Sequence, residues 1–364
     1  MTPARHPALD GHQAALRSIA RVVDETAPLQ DPETASRGLL RLMEESRPLV
    51  ITGAGVSTDS GIPDYRGPNG SLHRHRPMTY QEFRDDPAAR HRYWARSFVG
   101  WRRMDQARPN EAHRILARWA AEGRIAGVLT QNVDGLHAEA GRAAGMPEDR
   151  LIELHGDLAR VACLNCGATE SRRDLDLRLE AANPGYLERV AIDPDAVNPD
   201  GDVSLDQHWV EEFTMVGCRV CGSVKLKPDV VYFGESVPAA RRAAAEAMAD
   251  DGGTVLAVGT SLAVMSGYRF VLRAERAGHE TGLINLGPTR ADAKARWLGH
   301  RLHADVAIDV PGDLPLSAAA AIAEAFRQQL RAHIPALGTA HIILGAHEEG
   351  HGGPCPERTC GAVP

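Results

Sequence analysis

Six short apolar runs in this chain end in the same way. "RPLVIT" (47–52) is followed by "GAGVSTDSGIPDYRG", "AGVLT" (126–130) by "QNVDGLH", and "RLIEL" (150–154) by "HGD". "DVVYF" (229–233) runs into "GES", "TVLAVG" (254–259) into "TSL", and "TGLIN" (281–285) into "LGPT"; a seventh run, "DVAIDV", covers 305–310. Continuous β-branched and aliphatic runs of this length suit strands buried on both faces. Helical stretches lie between them, so the pattern predicts an α/β fold with a doubly wound, mostly parallel Rossmann-like sheet. Polar and glycine-rich residues gather after the strands, where open α/β sheets bind ligands.

The rest of the chain fits around that sheet. Residues 38–159 and 228–315 are read as the Rossmann-like domain, interrupted by a helical insertion at 71–115 rich in Arg, His and aromatics. Residues 160–227 form a small cysteine-bearing module, 316–334 a closing helix, and 335–364 a Gly-, His- and Pro-rich tail expected to lack structure. Aromatics make up only 5% of the 364 residues, so aliphatic side chains and alanine must fill the core. The net charge of −7 gives no electrostatic case for a nucleic-acid partner. No run is long and apolar enough to span a bilayer, and the N-terminus has no secretory pattern. The expectation is a cytoplasmic protein, with a monomer favoured.

Three motifs carry chemistry. In "GAGVSTDSG" the glycines would let the backbone approach a pyrophosphate, with a helix N-terminus following. Thr58 stands where a dinucleotide fingerprint has its third glycine, so a tight strand–helix turn is the competing reading. The extension "GIPDYRG" adds an aromatic face and a guanidinium that a turn does not need. Cys163-x-x-Cys166 and Cys218-x-x-Cys221 suit a closed four-thiolate zinc site with a structural role; redox dithiols or plain buried cysteines are the alternatives. Cys355 and Cys360 have no assigned role. Among 16 histidines, His155 stands out because it ends a strand beside the glycine loop. An imidazole there can accept a hydroxyl proton. His137 lies further on and reads as a histidine hydrogen-bonded inside the fold.

In order along the chain, "GAGVSTDSGIPDYRG", "TQNVDGLH", "ELHG", the two CxxC pairs, "KPDVVYFGE", "VGTSL" and "INLGPT" resemble the sirtuins, NAD-dependent protein-lysine deacylases. The resemblance spans about residues 38–310. "RYWARSFVGW", "KPDVVYFGE" and "SGYRF" are similar to the class II branch that includes mitochondrial sirtuin 4.

The resemblance implies an NAD site and one structural zinc. Gly53, Ala54, Gly55, Thr58, Asp64, Tyr65 and Arg66 would line the pyrophosphate and nicotinamide-ribose side. Gln131 would hold the ribose, while Asn132, Val133 and Asp134 would form the nicotinamide pocket. Gly259, Thr260 and Ser261 would meet phosphate and ribose, with Asn285 and Leu286 at the adenosine ribose and Ala304 and Asp305 by the adenine. His155 would be the general base, with Asn132 and Asp134 also catalytic. Val231, Phe233, Gly234 and Glu235 would border an acyl-lysine substrate, releasing nicotinamide and 2′-O-acyl-ADP-ribose. Tyr93 and Arg96 would read an acidic acyl group. If Tyr93, Trp94 and Phe98 instead pack inward, a long neutral lipoyl-type group fits better.

The chain departs from the common family pattern at Tyr65, where Phe is usual, and in "AVMSGY", which lacks a proline. The stretch between the cysteine pairs is also long. Mono-ADP-ribosyl transfer and non-catalytic NAD sensing are the competing functions; the partners expected are acylated proteins.

Overall fold

The structure, a computed structural model, describes residues 32–67, 70–73, 76–190, 197–292, 296–299, 302–311, 316–333 and 337–347. The chain divides into two units, residues 1–300 and 301–364.

The first unit is built on a six-stranded sheet in the order β3-β2-β1-β7-β8-β9. Its strands are β1 (Leu49–Thr52), β2 (Gly127–Thr130), β3 (Leu151–Glu153), β7 (Val255–Val258), β8 (Thr281–Ile284) and β9 (Arg296–Gly299), and every pairing is parallel. Alternate residues explain why the runs are apolar throughout. Val50, Val128 and Leu256 face α1 (Pro32–Glu45) and α4 (Glu111–Ala121) through Leu42, Leu116 and Ala120. Leu49, Ile51, Leu129, Val255 and Ala257 pack on the other side with residues of α9 (Ala239–Gly252) and α10 (Met265–Arg276). Helices cover both faces, so no position of β1 is left polar and exposed.

The chain runs outward from β1 to β2 and β3, then returns to the other side of β1 as β7. Connections leaving adjacent strands in opposite directions open a crevice at their carboxyl ends. The chemistry-bearing loops meet there.

Two expected strands take other places. The run at 229–233 contributes to β6 (Leu226–Val230), which joins β4 (Gly156–Cys163) and β5 (Thr169–Ser171) in an antiparallel sheet. Gly156, with φ +89, permits the close approach of β4 and β6; a Cβ there would lie 1.8 Å from the Asp229 carbonyl oxygen. That turn takes the chain out of the parallel sheet directly into β4. The run at 305–310 lies in the second unit, inside β10 (Leu302–Pro311), which pairs in parallel with β11 (Leu337–His347). The sixth strand of the main sheet is instead β9, whose "RWLG" has no continuous apolar run. The stretch after 335, expected to lack structure, therefore carries a strand. The closing helix is α11 (Leu316–His333).

The insertion is helical. Thr79 and Glu82 form a capping box for α2 (Tyr80–Asp85). Asp86 accepts from the Ala88 amide, and Pro87 opens α3 (Pro87–Gln106). α3 buries Tyr93, Trp94 and Phe98 against Leu175 and Leu179 of α6 (Arg172–Ala182), Tyr186 of α7 (Tyr186–Arg189) and Val210 of α8 (Gln207–Glu212). This second core joins the insertion to the cysteine module. Arg172 is fully buried, donates to the Ser97 hydroxyl and carbonyl, and stacks on Trp94 and Trp101 at 5.1 Å each.

Candidate functional site

After β1 the chain makes two tight 3-10 turns, Ala54–Val56 and Thr58–Ser60, rather than the expected helix start. The Gly55 amide donates to the Gly259 carbonyl at 2.9 Å. A Cβ on Gly53 would lie 2.7 Å from Thr260 Cβ, and one on Gly55 2.8 Å from the Gly259 oxygen. Gly259 has φ +59, and a Cβ there would lie 2.5 Å from the Val56 nitrogen. These glycines are required by each other's loops: they clasp the ends of β1 and β7 together. Thr58 is exposed and donates to the Gly55 carbonyl. The Ser60 and Ser71 hydroxyls are buried with no protein partner, which fits a loop made to hold a polar ligand such as NAD. Asp64 accepts from the Gly67 amide at 2.8 Å and closes the following turn. Arg66 is half-buried, and burial lowers its pKa.

The cluster after β2 faces this loop. Gln131 donates to the Thr260 hydroxyl at 2.8 Å. The Asn132 amide group donates to the Gly53 carbonyl at 3.1 Å and to the Ser57 hydroxyl at 3.0 Å. Ser57 in turn donates to Asp134 at 2.7 Å. Burial raises the Asp134 carboxyl, while Ser57 and the Leu136 amide at the start of α5 (Leu136–Ala144) pull it down. The Val133 carbonyl accepts from the Leu158 amide. His137 is buried, bonded to Thr52 at 2.9 Å, with its ring 4.6 Å from that of His113, so it belongs to the interior as expected.

Ser57 and His113 were not singled out in the sequence as site residues. The available signal was "PNEAH", where the Asn110 side-chain oxygen caps α4 and accepts from His113 Nδ1 at 2.9 Å. His113 Nε2 lies 3.4 Å from the Ser57 hydroxyl, and burial pushes the imidazole down to about 4.

His155 follows β3 on the same side. Its Nδ1 is 2.9 Å from the Gln131 carbonyl, which can only accept, so Nδ1 carries the proton. Nε2 then presents a lone pair, which takes the Ser266 hydroxyl at 2.7 Å. Burial pushes this imidazole down to about 4, more than offsetting the Gln131 carbonyl, so Nε2 stays unprotonated at neutral pH.

The segment after β6 makes another wall. The Val231 amide donates to the His155 carbonyl at 2.8 Å. The Tyr65 and Phe233 rings meet edge to face at 6.3 Å. Gly234 has φ +84. Glu235 accepts from the Tyr232 amide and pairs with the buried Lys227 at 3.0 Å, which fixes the segment. Tyr93 is buried, its ring 5.8 Å from that of Tyr232. Arg96 is engaged: it donates to the Val203 carbonyl and pairs with Asp202 at 3.2 Å.

Ser261 and Asn285 sit after β7 and β8. The Ser261 carbonyl accepts from the Arg290 amide and Asn285 donates to the Gly287 carbonyl, with Leu286 between. Ala304 lies in the second unit, and its side chain falls outside the described residues.

The four module cysteines come together with every sulfur within 4.8 Å of the others. Cys163 and Cys221 are 3.6 Å apart, Cys166 and Cys218 3.7 Å. Sulfurs at about 2.3 Å from a tetrahedral zinc are separated by about 3.8 Å, so the set fits one closed structural zinc. The Ser223 amide helps hold the Cys221 thiol down to about 6.

A family model described as the Sir2 family matches residues 53–266, from the glycine loop to the hydroxyl on His155. The chain belongs to the Sir2 family. A protein of Corynebacterium efficiens called NAD-dependent protein deacetylase 1 is 57% identical over 71% of this chain and 90% of its own length. One of the same name from Streptomyces coelicolor is 50% identical over 68% and 79%. Among solved structures, a Sir2 variant with deacetylated p53 peptide and 3′-O-acetyl ADP ribose superposes with a TM-score of 0.55 at 29% identity. It covers 72% of this chain and 91% of its own. A Sir2 complex with p53 peptide and NAD+ gives 0.52 at 29%, over 72% and 90%. In this chain Asn132 joins the glycine loop to Ser57 and Asp134 by hydrogen bonds, and His155 is bonded to the carbonyl of the adjoining Gln131. Among the described residues no helix is long and apolar enough to cross a membrane.

Proposed function

We propose that this Sir2 chain is an NAD-dependent deacylase of lysine side chains on acylated proteins. The observation that carries the reading is His155: a fixed tautomer whose Nε2 lone pair, held by the exchangeable Ser266 hydroxyl, lies after β3 beside the cluster that follows β2. NAD supplies an electrophilic ribose carbon with nicotinamide as the leaving group. The chain's residues do the rest. Asn132, Ser57 and Asp134 form a connected polar wall that can hold a carboxamide. His155 Nε2 exchanges the Ser266 hydroxyl for a substrate hydroxyl and takes its proton. The Tyr65–Phe233 contact and the Lys227–Glu235 pair hold the wall on which the acyl-lysine would lie.

Kinship with the class II branch belongs to the same proposal and supports acyl groups larger than acetyl. Of the acidic and lipoyl-type classes, the engaged Arg96 favours the uncharged one, because an acyl carboxylate would have to displace Asp202. Action in the cytoplasm belongs to the same proposal.

The test is a panel of acyl-lysine peptides incubated with NAD and followed by mass spectrometry. Expected are free lysine, nicotinamide and acyl-ADP-ribose in equal amounts. ADP-ribose appearing on a protein, with nicotinamide release indifferent to acyl-lysine, would replace this reading with mono-ADP-ribosyl transfer. NAD binding without turnover of any peptide would replace it with NAD sensing.

A further inference from the structure

Beside His155 the ladder between β4 and β6 is broken. Gly156 pairs with Val230 and Asp157 with Asp229, but the next pair is Val161 with Pro228. Leu158, Ala159 and Arg160 therefore have no match on β6. Bulges of this kind bend a strand and re-aim its side chains. The amides freed by the bulge find other acceptors. That of Leu158 donates to the Val133 carbonyl at 2.9 Å, and that of Ala159 to Asp157 Oδ1 at 2.8 Å. The Val133 bond ties the bulge to the cluster that follows β2, where the Gln131 carbonyl takes His155 Nδ1.

Arg160 spans the break. Its Nη2 donates to Glu153 at 2.9 Å, its Nη1 to Asp157 at 3.1 Å and its Nε to Asp229 at 3.2 Å. Glu153 lies two residues before His155 and Asp157 two after it. Asp229 lies two before Val231, whose amide donates to the His155 carbonyl at 2.8 Å. One guanidinium thus holds the chain on both sides of the base and the strand opposite. Arg241, in the first turn of α9, also pairs with Asp229, at 3.2 Å. Among the described ion pairs, Glu153 and Asp157 have no cation but Arg160.

We propose that Arg160 is a positioning residue for the reaction: its three-way grip fixes the backbone that carries His155, and so sets where the base meets the substrate hydroxyl. A planar guanidinium fixes the direction of its partners as well as their separation. The grip also steadies the bulge that reaches Val133, so the base and the nicotinamide wall keep one spacing. A displacement of about 1 Å at a reacting group costs up to a hundredfold in rate. The fold asks less of this residue. Arg160 is exposed, its truncation opens no cavity in the core, and ion pairs at a surface contribute little to stability.

This inference rests on the deacylase reading, so one arm of the test needs no turnover. Arg160→Ala and Arg160→Lys are made in wild type and in His155→Ala. In wild type, Arg160→Ala should lower kcat about tenfold, with KM for NAD and for the acyl-lysine peptide within about twofold. In His155→Ala the same change should cost less than about twofold, because the group it positions is gone. Arg160→Lys keeps the charge but cannot reach three carboxylates, and should lower kcat about threefold. The other arm follows the His155 Nδ1 proton by NMR of protein labelled with 15N-histidine, identified by its loss in His155→Ala. Its resonance should shift or broaden in Arg160→Ala as the bond to the Gln131 carbonyl loosens. Melting temperature and zinc content identify misfolded protein, for which Arg160→Lys is the milder variant. An equal loss of kcat with and without His155 would make Arg160 structural only and overturn the proposal, as would an unmoved Nδ1 resonance in the folded variants. Turnover of no peptide by wild type overturns the deacylase reading, and the Nδ1 resonance then decides Arg160.

Discussion

Replacing His155 by alanine isolates the base from the scaffold that holds it. The ring makes two polar contacts, Nδ1 to the Gln131 carbonyl and Nε2 to the Ser266 hydroxyl. Losing the first leaves a carbonyl unpaired beside the crevice, a cost of about 1 kcal/mol. In a domain of this size that lowers the melting temperature by a few degrees. The loss at the reacting hydroxyl is larger: a positioned base typically contributes 10²–10⁴-fold, or about 3–5 kcal/mol of barrier. His155→Ala should therefore melt near wild type and bind NAD, while kcat falls at least about a hundredfold. The pH profile adds an independent check. Burial holds His155 down to about 4, so the base form is present through the neutral range and is lost only as pH falls through that value. The acid limb of kcat/KM in wild type should lie well below the ordinary histidine value of about 6.5. Calorimetric NAD binding, thermal melting and nicotinamide release measure the three quantities. Turnover within tenfold of wild type in His155→Ala, or an acid limb at 6.5, would refute the reasoning.

The zinc site should hold about one metal per chain by elemental analysis, and Cys163→Ala should lose the metal and destabilise the protein by several kcal/mol; active, stable protein free of zinc would contradict it. Gly259→Ala should weaken NAD binding and lower the melting temperature, since the residue has φ +59 and no room for a Cβ against Val56; wild-type affinity would show that the clasp does not shape the NAD loop. His113 has its pKa lowered in the fold to about 4. The unfolded chain therefore takes up this proton first, and stability should fall with pH from about 6.5 toward 4, by on the order of 3 kcal/mol for this group. A melting temperature flat across that window would contradict the burial of the imidazole.

What the sequence determined by itself is local. β1, β2, β7 and β8 were legible because a strand covered on both faces must be apolar at every position, and the loop chemistry follows directly behind each strand. The four cysteines were legible because two CxxC pairs suit four thiolate ligands round one metal. His155 was legible from its place after a strand. What only the tertiary structure decided depends on groups far apart in the chain. β6 pairs with β4 rather than with the parallel sheet, at a Gly156–Asp229 approach that leaves no room for a Cβ, and no run of residues announces that contact. "RWLG" becomes the sixth strand through its pairing with β8, without an apolar run to mark it. Ser57 reads as a loop residue until Asn132, Asp134 and His113 converge on it. Arg96 looks like a free guanidinium on a helix until the turn at 198–202 places Asp202 against it. A side chain's type and local period are written in the sequence, but whether its charge is spent depends on which distant segment packs against it.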